Sequence, residues 1–309
     1  MRQIELGKTG VQVPAIAIGC MRINRLSLRE AEHYIQSAIE QGAVFFDHAD
    51  IYGAGSCEEV FAKAYPMSDD KREKLMLQSK CGIRRCAEGV VYDFSKQHIL
   101  ASVEGILKRL KTDYLDVLLL HRPDALAEPE EVAEAFETLH SEGKVRYFGV
   151  SNQNPMQMML LQKYLKQPLV ANQLQFSIAH ASIVAQGLHV NMLDEDALNR
   201  DGSVLDFCRL NDITIQPWSP FQYGLFEGVF LDNEKFPVLN QAIHELAEKY
   251  GVSNVTIALA WILRHPAHMQ PVIGTMNSER MRACVQACEI GLTREEWYKL
   301  YHASGHTLP

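Results

Sequence analysis

The sequence predicts an α/β protein folded as a (β/α)8 TIM barrel, with an N-terminal β-hairpin and long βα loops. Eight short, nearly continuous apolar segments alternate with amphipathic helical patterns, which is typical of parallel strands buried on both faces. The chain has 309 residues, enough for a barrel of about 250 residues with insertions. No Pro- or Ser-rich linker interrupts it, so we expect a single domain over residues 1–309. A doubly wound sheet is the alternative.

The strands are predicted from alternating and continuous apolar segments. Residues 4–6 and 11–13 alternate in polarity around a Gly-Lys-Thr-Gly turn, which indicates the hairpin. The eight barrel strands are expected at residues 15–19, 44–47, 75–79, 115–120, 145–150, 171–174, 214–217 and 270–273.

Helices are predicted between these strands. Ser27 and Glu30 form a capping-box pattern before an apolar helical face that ends near Gly42. Residues 99–110 and 132–139 carry further apolar faces, and Thr293 begins the last helix. Two stretches, 176–202 and 220–237, exceed minimal βα loops. In a barrel they would border the mouth and could form substrate walls or a lid.

Composition narrows the functional classes. The formal net charge of −8 gives no reason to expect nucleic-acid binding. No apolar segment approaches the roughly 20 residues of a membrane span, and the N-terminus lacks the apolar region of a signal peptide. Seven scattered cysteines indicate reduced thiols and a cytoplasmic protein. Metal-ligand spacings such as Cys-x-x-Cys and His-Glu-x-x-His are absent, so we expect no metal.

Four ionisable residues lie at or just beyond the ends of three predicted strands: Asp47, Tyr52, Lys80 and His121. The carboxyl ends of barrel strands meet at one mouth, so these side chains could form one site. A tyrosine beside a cation is a plausible acid near neutral pH, which indicates proton transfer. Each residue, taken singly, also has a structural explanation. Asp47 could be a helix cap at a strand end, and Tyr52 an aromatic residue packed in a turn. Lys80 could be a solvated surface amine, and His121 a hydrogen-bonded polar group before a turn.

Taken in chain order, these four residues and several later segments resemble motifs of the aldo-keto reductase superfamily. Asp47, Tyr52 and Gly53 are similar to its Asp-x-x-x-x-Tyr-Gly signature, and residues 116–121 to its Asp-x-x-x-x-His strand. Residues 145–152 are similar to its Gly-Val-Ser-Asn element, and residues 172–173 and 218–220 are in register. The resemblance extends from residue 4 to about residue 288.

The resemblance implies a barrel that binds an extended nicotinamide dinucleotide, usually NADPH, and reduces a small-molecule carbonyl substrate. Consistently, no Gly-x-Gly-x-x-Gly follows a strand. Tyr52 would donate the proton, and Lys80 would lower its pKa from about 10. Asp47 would hold Lys80 by a salt bridge, and His121 would orient the carbonyl oxygen.

The resemblance also implies cofactor contacts. Ser151, Asn152 and Gln173 would bind the nicotinamide carboxamide, although strand-end capping would equally explain them. Trp218 would stack on the nicotinamide, with a buried core Trp as the alternative. Further candidates are Gly19, Met21, Asp47, Ser219, Gln222, Gly224, Leu225, Gly274, Thr275, Met276 and Arg280, with Cys20 and Arg22 near the first of them.

The segment around Arg280 departs from the family pattern. Arg280 matches the family arginine that binds the adenosine 2′-phosphate, where the N-terminus of a helix favours an anion. Gly274 occupies a frequent lysine position, and Ala283 and Cys284 replace the usual Glu-Asn pair that binds adenine. Arg280 still favours NADPH.

Two other functional classes compete with carbonyl reduction. A cofactor-sensing protein would retain the barrel and nucleotide site but act through partners, and the complete set of four residues argues against it. A barrel hydrolase would need a metal cluster or paired carboxylates at strand ends, and neither arrangement is present. The sequence leaves the substrate and the oligomeric state open.

Overall fold

A computed structural model describes residues 1–86 and 89–306. The strands are β1 (Gln3–Glu5), β2 (Gln12–Pro14), β3 (Ala17–Gly19), β4 (Phe45–Asp47), β5 (Met76–Cys81), β6 (Ile83–Cys86), β7 (Gly89–Tyr92), β8 (Leu115–Leu120), β9 (Val145–Ser151), β10 (Leu169–Gln175), β11 (Thr214–Trp218) and β12 (Val272–Ile273). The pair β1–β2 forms the predicted antiparallel hairpin.

Eight of these strands close into a parallel barrel in the order β3-β4-β5-β8-β9-β10-β11-β12, with β12 pairing back onto β3. The predicted TIM barrel is therefore confirmed. Each predicted barrel strand is present, with bounds within two residues of the expected ones. In this order β5 lies opposite β11, and β4 lies opposite β10.

Helices surround the barrel. They are α1 (Leu28–Glu40), α2 (Ser56–Ala64), α3 (Asp69–Arg72), α4 (Lys96–Leu110), α5 (Pro129–Ser141), α6 (Pro155–Gln162), α7 (Ser182–Leu188), α8 (Val204–Leu210), α9 (Pro237–Tyr250), α10 (Asn254–Arg264), α11 (Ser278–Gln286) and α12 (Arg294–Ala303). The capping boxes predicted at Ser27 and Thr293 are both formed. Among the described helices, none is long and apolar enough to cross a bilayer.

Two features depart from the sequence prediction. The β6–β7 pair is a second antiparallel hairpin between β5 and α4. Most of its residues are exposed or half-buried, so it lacks the clear apolar alternation by which a strand is recognised. The stretch 176–202, predicted only as a long βα loop of unassigned conformation, contains α7 and a short 3₁₀ turn, Glu195–Ala197.

Candidate active site

Asp47, Lys80 and Tyr52 form one hydrogen-bonded cluster at the carboxyl ends of the strands. Asp47 ends β4, and Lys80 lies near the end of β5 on the inward face. Lys80 Nζ donates to Asp47 Oδ2 at 2.8 Å, to the His48 carbonyl at 2.7 Å and to Tyr52 Oη at 3.0 Å. All three Lys80 donors are therefore used, which fixes its ammonium against the phenol.

The turn after β4 places Tyr52. A short 3₁₀ turn, Tyr52–Gly55, follows the strand and contains three consecutive left-handed residues, of which two are glycine. At Gly53 a Cβ atom would lie 2.4 Å from the side chains of Asn24 and Ser56. Glycine at this position therefore lets the chain reverse into α2 while Tyr52 points back to Lys80.

Burial and charge act against each other on Tyr52. Burial raises the pKa of Tyr52, and the neighbouring Lys80 lowers it by less, so the pKa stays above its usual value. Lys80 therefore acts on Tyr52 in the expected direction, but desolvation of the phenolate outweighs the attraction of the ammonium. For Lys80, burial lowers the pKa, but Asp47 and Tyr52 together hold it above its usual value.

His121 follows β8 and faces Tyr52. Its ring lies edge-on to the Tyr52 ring, with 5.9 Å between centroids. Burial, together with the charges of Lys80 and Arg122, holds the pKa of His121 well below its usual value. The imidazole is therefore neutral and can donate one N–H to an acceptor at the mouth.

Gln173 on β10 connects this cluster to residues at the carboxyl ends of β9 and β11. Its Nε2 donates to Asp47 Oδ1 at 3.2 Å, and its backbone carbonyl accepts the Ser151 hydroxyl at 3.0 Å. Asn152 Nδ2 donates to Ser151 Oγ at 2.7 Å, and Asn152 Oδ1 accepts the Trp218 indole N–H at 3.2 Å. Four predicted cofactor residues therefore form one polar chain that leads to Asp47.

The loop after β11 turns back on itself. Ser219 has a positive φ of 51°, and its carbonyl accepts the Gln222 amide. The carbonyl of Gln222 accepts the Ser177 hydroxyl, while its buried side-chain Oε1 has no partner among the described residues. Gly224 is buried and Leu225 is exposed. This loop thus holds one buried side-chain oxygen without a hydrogen-bond partner among the described residues.

The segment after β12 is held by hydrogen bonds from residues that follow the neighbouring strand β3. Arg22 Nη1 donates to the Gly274 carbonyl at 3.1 Å, and the Tyr34 hydroxyl donates to the Thr275 carbonyl at 2.6 Å. Met276 is half-buried, and Arg280 is exposed in the first turn of α11. Arg22, held at Gly274, brings a cation to the position where the sequence lacks the family lysine.

Comparisons with known proteins agree with this geometry. The model of the Aldo/keto reductase family matches residues 15–304. The chain belongs to the aldo-keto reductase family. It is 36% identical to the uncharacterized oxidoreductase YcsN of Bacillus subtilis (strain 168), with both chains fully covered.

Two further relatives extend the comparison. A 6-dehydroglucose reductase of Agrobacterium fabrum is 33% identical over 86% of this chain and 85% of its own. A crystal structure of the thermostable aldo-keto reductase Tm1743 with the inhibitor epalrestat has a TM-score of 0.78 and 29% identity, covering 98% of this chain and 100% of that one. This aldo-keto reductase is therefore an oxidoreductase of carbonyl compounds, in a family that uses NADH or NADPH.

The structure brings some predicted residues of the reductase together and leaves others apart. Asp47, Tyr52, Lys80 and His121 form one site, which Gln173, Ser151, Asn152 and Trp218 extend. No described hydrogen bond joins Ser219 or Arg280 to that site. Gly19 has a structural explanation, because a Cβ there would lie 3.1 Å from the Ile273 carbonyl across the β3–β12 pair.

Sequence reasoning missed several polar residues around the site. Gln78, Gln216 and Gln270 are fully buried and hydrogen-bonded to one another beneath Asp47. Arg122 was also missed. In the structure its guanidinium lies 5.4 Å from the centroid of the Trp218 ring. The available signal was a glutamine within each of two apolar strands, which is unusual for a barrel interior filled mainly by branched apolar residues.

Proposed function

We propose that this aldo-keto reductase reduces an aldehyde or ketone to an alcohol by hydride transfer from NADPH, with Tyr52 as the proton donor. The observation that carries the proposal is the 3.0 Å contact between Lys80 Nζ and Tyr52 Oη, with Lys80 held by Asp47 at 2.8 Å. A phenol, an ammonium and a carboxylate in series can deliver a proton and stabilise the phenolate left behind.

The proton step follows from these contacts. The raised pKa of Tyr52 keeps its proton in place at neutral pH until a carbonyl oxygen takes it. Lys80 then faces a tyrosinate and stabilises it without moving, because its ammonium is already in hydrogen-bonding position. Bound NADPH would supply the hydride to the carbonyl carbon.

His121 would position the substrate. Its neutral ring can donate one hydrogen bond to the carbonyl oxygen, and it lies beside the Tyr52 ring. Two donors, a phenol and an imidazole, would then converge on one oxygen as negative charge develops there. That convergence favours the transition state over the uncharged substrate.

The residues around the mouth fit a dinucleotide. Both amide hydrogens of Gln173 point inward, to Asp47 and Gln216, so its Oε1 remains to accept from a carboxamide. The unpartnered Gln222 Oε1 is a further polar atom aimed at no described residue. Arg22 and Arg280 supply positive charge near the N-terminus of α11, which suits a phosphate and supports NADPH over NADH.

We further propose that the chain is a single domain that acts in the cytoplasm on a small-molecule carbonyl substrate. The closed barrel includes strands from β3 near the start of the chain to β12 near its end, which supports one domain. The seven cysteines are all free in the structure, which suits a reducing compartment.

The replacement Tyr52→Phe tests the proposed function. It removes the transferable proton but keeps the ring, so we expect turnover to fall by about 100-fold or more while NADPH affinity changes little. Carbonyl-dependent NADPH oxidation across aldehydes, ketones and quinones measures turnover, and fluorescence titration measures affinity.

Tyr65→Phe is the matched control. Tyr65 lies beside Phe61, at the C-terminal end of α2, and makes no described hydrogen bond through its hydroxyl. We expect this variant to reduce carbonyls like the wild type. If Tyr52→Phe oxidised NADPH as fast as the control, the assignment of the proton donor would be wrong. Binding of NADPH without turnover in the wild type would instead support a cofactor sensor.

A further inference from the structure

The interior of the barrel beneath the candidate site is polar. Gln78, Gln216 and Gln270 are fully buried, and Gln173 is 3% exposed. Barrel interiors are usually filled by branched apolar side chains, which need no hydrogen-bond partners. Four buried primary amides are costly unless every donor and acceptor is satisfied.

These amides form a connected chain across the barrel. Gln270 Nε2 donates to the Pro14 carbonyl at 2.6 Å, and Gln216 Nε2 donates to Gln270 Oε1 at 2.9 Å. Gln216 Oε1 accepts from Gln78 Nε2 at 2.9 Å and from Gln173 Nε2 at 3.3 Å, and Gln216 Nε2 donates back to Gln78 Oε1 at 3.0 Å. Since Gln78 and Gln216 come from opposite strands, their contact passes through the centre of the barrel.

The chain ends at one oxygen of Asp47. Gln78 Nε2 donates to Asp47 Oδ1 at 2.6 Å, and Gln173 Nε2 donates to the same atom at 3.2 Å. Lys80 occupies the other oxygen, Oδ2. Asp47 therefore receives N–H donors on both carboxylate oxygens, and Gln78, Gln216 and Gln270 each have a partner at both the nitrogen and the oxygen of the amide.

The Pro14 carbonyl gives this chain a direction. A carbonyl can only accept, so the amide nitrogen of Gln270 must face it and Oε1 must face Gln216. Gln216 must then turn its nitrogen towards the side-chain oxygens of Gln270 and Gln78, and its oxygen towards the nitrogens of Gln78 and Gln173. Their nitrogens must in turn face Asp47. Flipping any one amide would set two acceptors or two donors against each other.

We propose that Gln270, Gln216 and Gln78 are positioning residues that, through this chain oriented by the Pro14 carbonyl, present only N–H donors to Asp47 and so hold its carboxylate as an acceptor for Lys80. The proposal rests on the proposed function, because it assigns the chain an effect on Tyr52 through Asp47 and Lys80. None of the three glutamines touches the reacting atoms.

The consequence for catalysis has a definite sign. An Asp47 carboxylate held less firmly would hold the Lys80 charge less firmly, so Lys80 would lower the pKa of Tyr52 by less. Tyr52 would become a weaker acid. For carbonyl reduction, kcat should fall, and the alkaline limb of its pH profile, where Tyr52 loses its proton, should move to higher pH.

The replacement Gln216→Met breaks the chain at its centre while preserving side-chain length. We expect kcat to fall by about tenfold or more, and the alkaline limb to rise by about half a pH unit or more. Gln216→Glu keeps the shape but replaces the amide nitrogen with oxygen. It should be at least as damaging as Gln216→Met, because a carboxylate oxygen would then face the acceptor oxygens of Gln270 and Gln78.

Ser79→Ala is the matched control. Ser79 is fully buried on β5 between Gln78 and Lys80, but it points to the opposite face, where its hydroxyl donates to Glu58. It therefore removes a neighbouring buried hydrogen bond outside the chain. We expect normal kcat and an unshifted pH profile, with thermal melting reporting the stability of every variant.

Gln270→Met is the second variant in case Gln216→Met does not fold. It removes the contact with Pro14 that sets the direction, and we expect the same shift with a smaller amplitude. A folded variant with an unmoved alkaline limb would overturn the proposal, as would a kcat loss no larger than that of Ser79→Ala. Failure of the proposed function would give a different result. Either the wild-type protein would show no carbonyl-dependent NADPH oxidation, or Tyr52→Phe would oxidise NADPH as fast as the wild type.

Discussion

Tyr52 shows how two opposing effects at one residue set its chemistry. The sequence placed a lysine near it, and Lys80 indeed lies 3.0 Å from its hydroxyl. The net pKa is nevertheless raised, because the same packing that brings Lys80 close also removes water from the phenol. Contact with a cation could be predicted from spacing, whereas the extent of desolvation could not.

Arg280 carries a prediction at the residue scale. Its side chain is exposed at the start of α11, which suits a contact with the 2′-phosphate of NADPH. For Arg280→Ala we expect the NADPH dissociation constant to rise by about tenfold, a loss of roughly 1.4 kcal/mol, with NADH affinity unchanged. Titrations with both cofactors measure the preference.

Arg282→Ala is the control for that replacement. Arg282 lies two residues further along the same helix, where its guanidinium lies 3.3 Å from Ser37 Oγ on α1. We expect it to leave the NADPH-to-NADH preference intact. An unchanged preference in Arg280→Ala would mean that the phosphate contact is made elsewhere.

At the scale of elements, the N-terminus of α11 is ordered by its own cap residue. Asn277 is its N-cap, and its side chain accepts the Arg280 amide at 2.8 Å. This bond orders the first turn, which bears Arg280 and the N–H groups suited to an anion. The family resemblance implied a helix start at this place and a phosphate-binding role for Arg280, and the structure has the helix start there.

The replacement Asn277→Ala should loosen this terminus. We expect a loss of about 1 kcal/mol in the free energy of unfolding, as for other N-caps, together with weaker NADPH binding. Urea denaturation and cofactor titration measure the two effects.

Asn154→Ala is the comparison, because the Asn154 side chain caps α6 by accepting an amide three residues on, as Asn277 does, and belongs to no predicted site. It should lose similar stability without changing NADPH affinity. Equal cofactor affinities in the two variants would contradict a role of the α11 terminus in binding.

The β6–β7 hairpin marks the limit of prediction for elements. Its residues are largely exposed, so the burial pattern that identifies a strand is missing. The barrel strands, in contrast, are buried on both faces and mostly apolar, and they were found from the sequence within two residues. Strands that contribute to the core can therefore be predicted from the sequence, whereas strands held mainly by backbone hydrogen bonds to each other cannot.

At the scale of the whole molecule, closure of the barrel depends on close strand approach. Gly149 lies in β9, and a Cβ there would lie 2.6 Å from the Ala171 carbonyl and 2.7 Å from Leu119 Cδ2. For Gly149→Ala we expect a loss of about 2–4 kcal/mol in the free energy of unfolding, because backbone on β10 cannot easily move aside.

Gly187→Ala serves as its control. Gly187 lies in α7 with open space around its Cβ position and an ordinary φ, so alanine should be neutral or slightly stabilising. Denaturation midpoints measure both variants. Wild-type stability in Gly149→Ala would show that β9 and β10 can separate without cost.

The sequence by itself determined two things about this protein. One is the alternation of strands and helices, and the other is the position of Asp47, Tyr52, Lys80 and His121 at or just beyond strand ends. Both are local patterns, and parallel strands then place those ends at one mouth. Only the tertiary structure decided the contact between Gln78 and Gln216, which are 138 positions apart, and the raised pKa of Tyr52. Hydrogen-bond direction and desolvation depend on groups that meet only after the barrel closes.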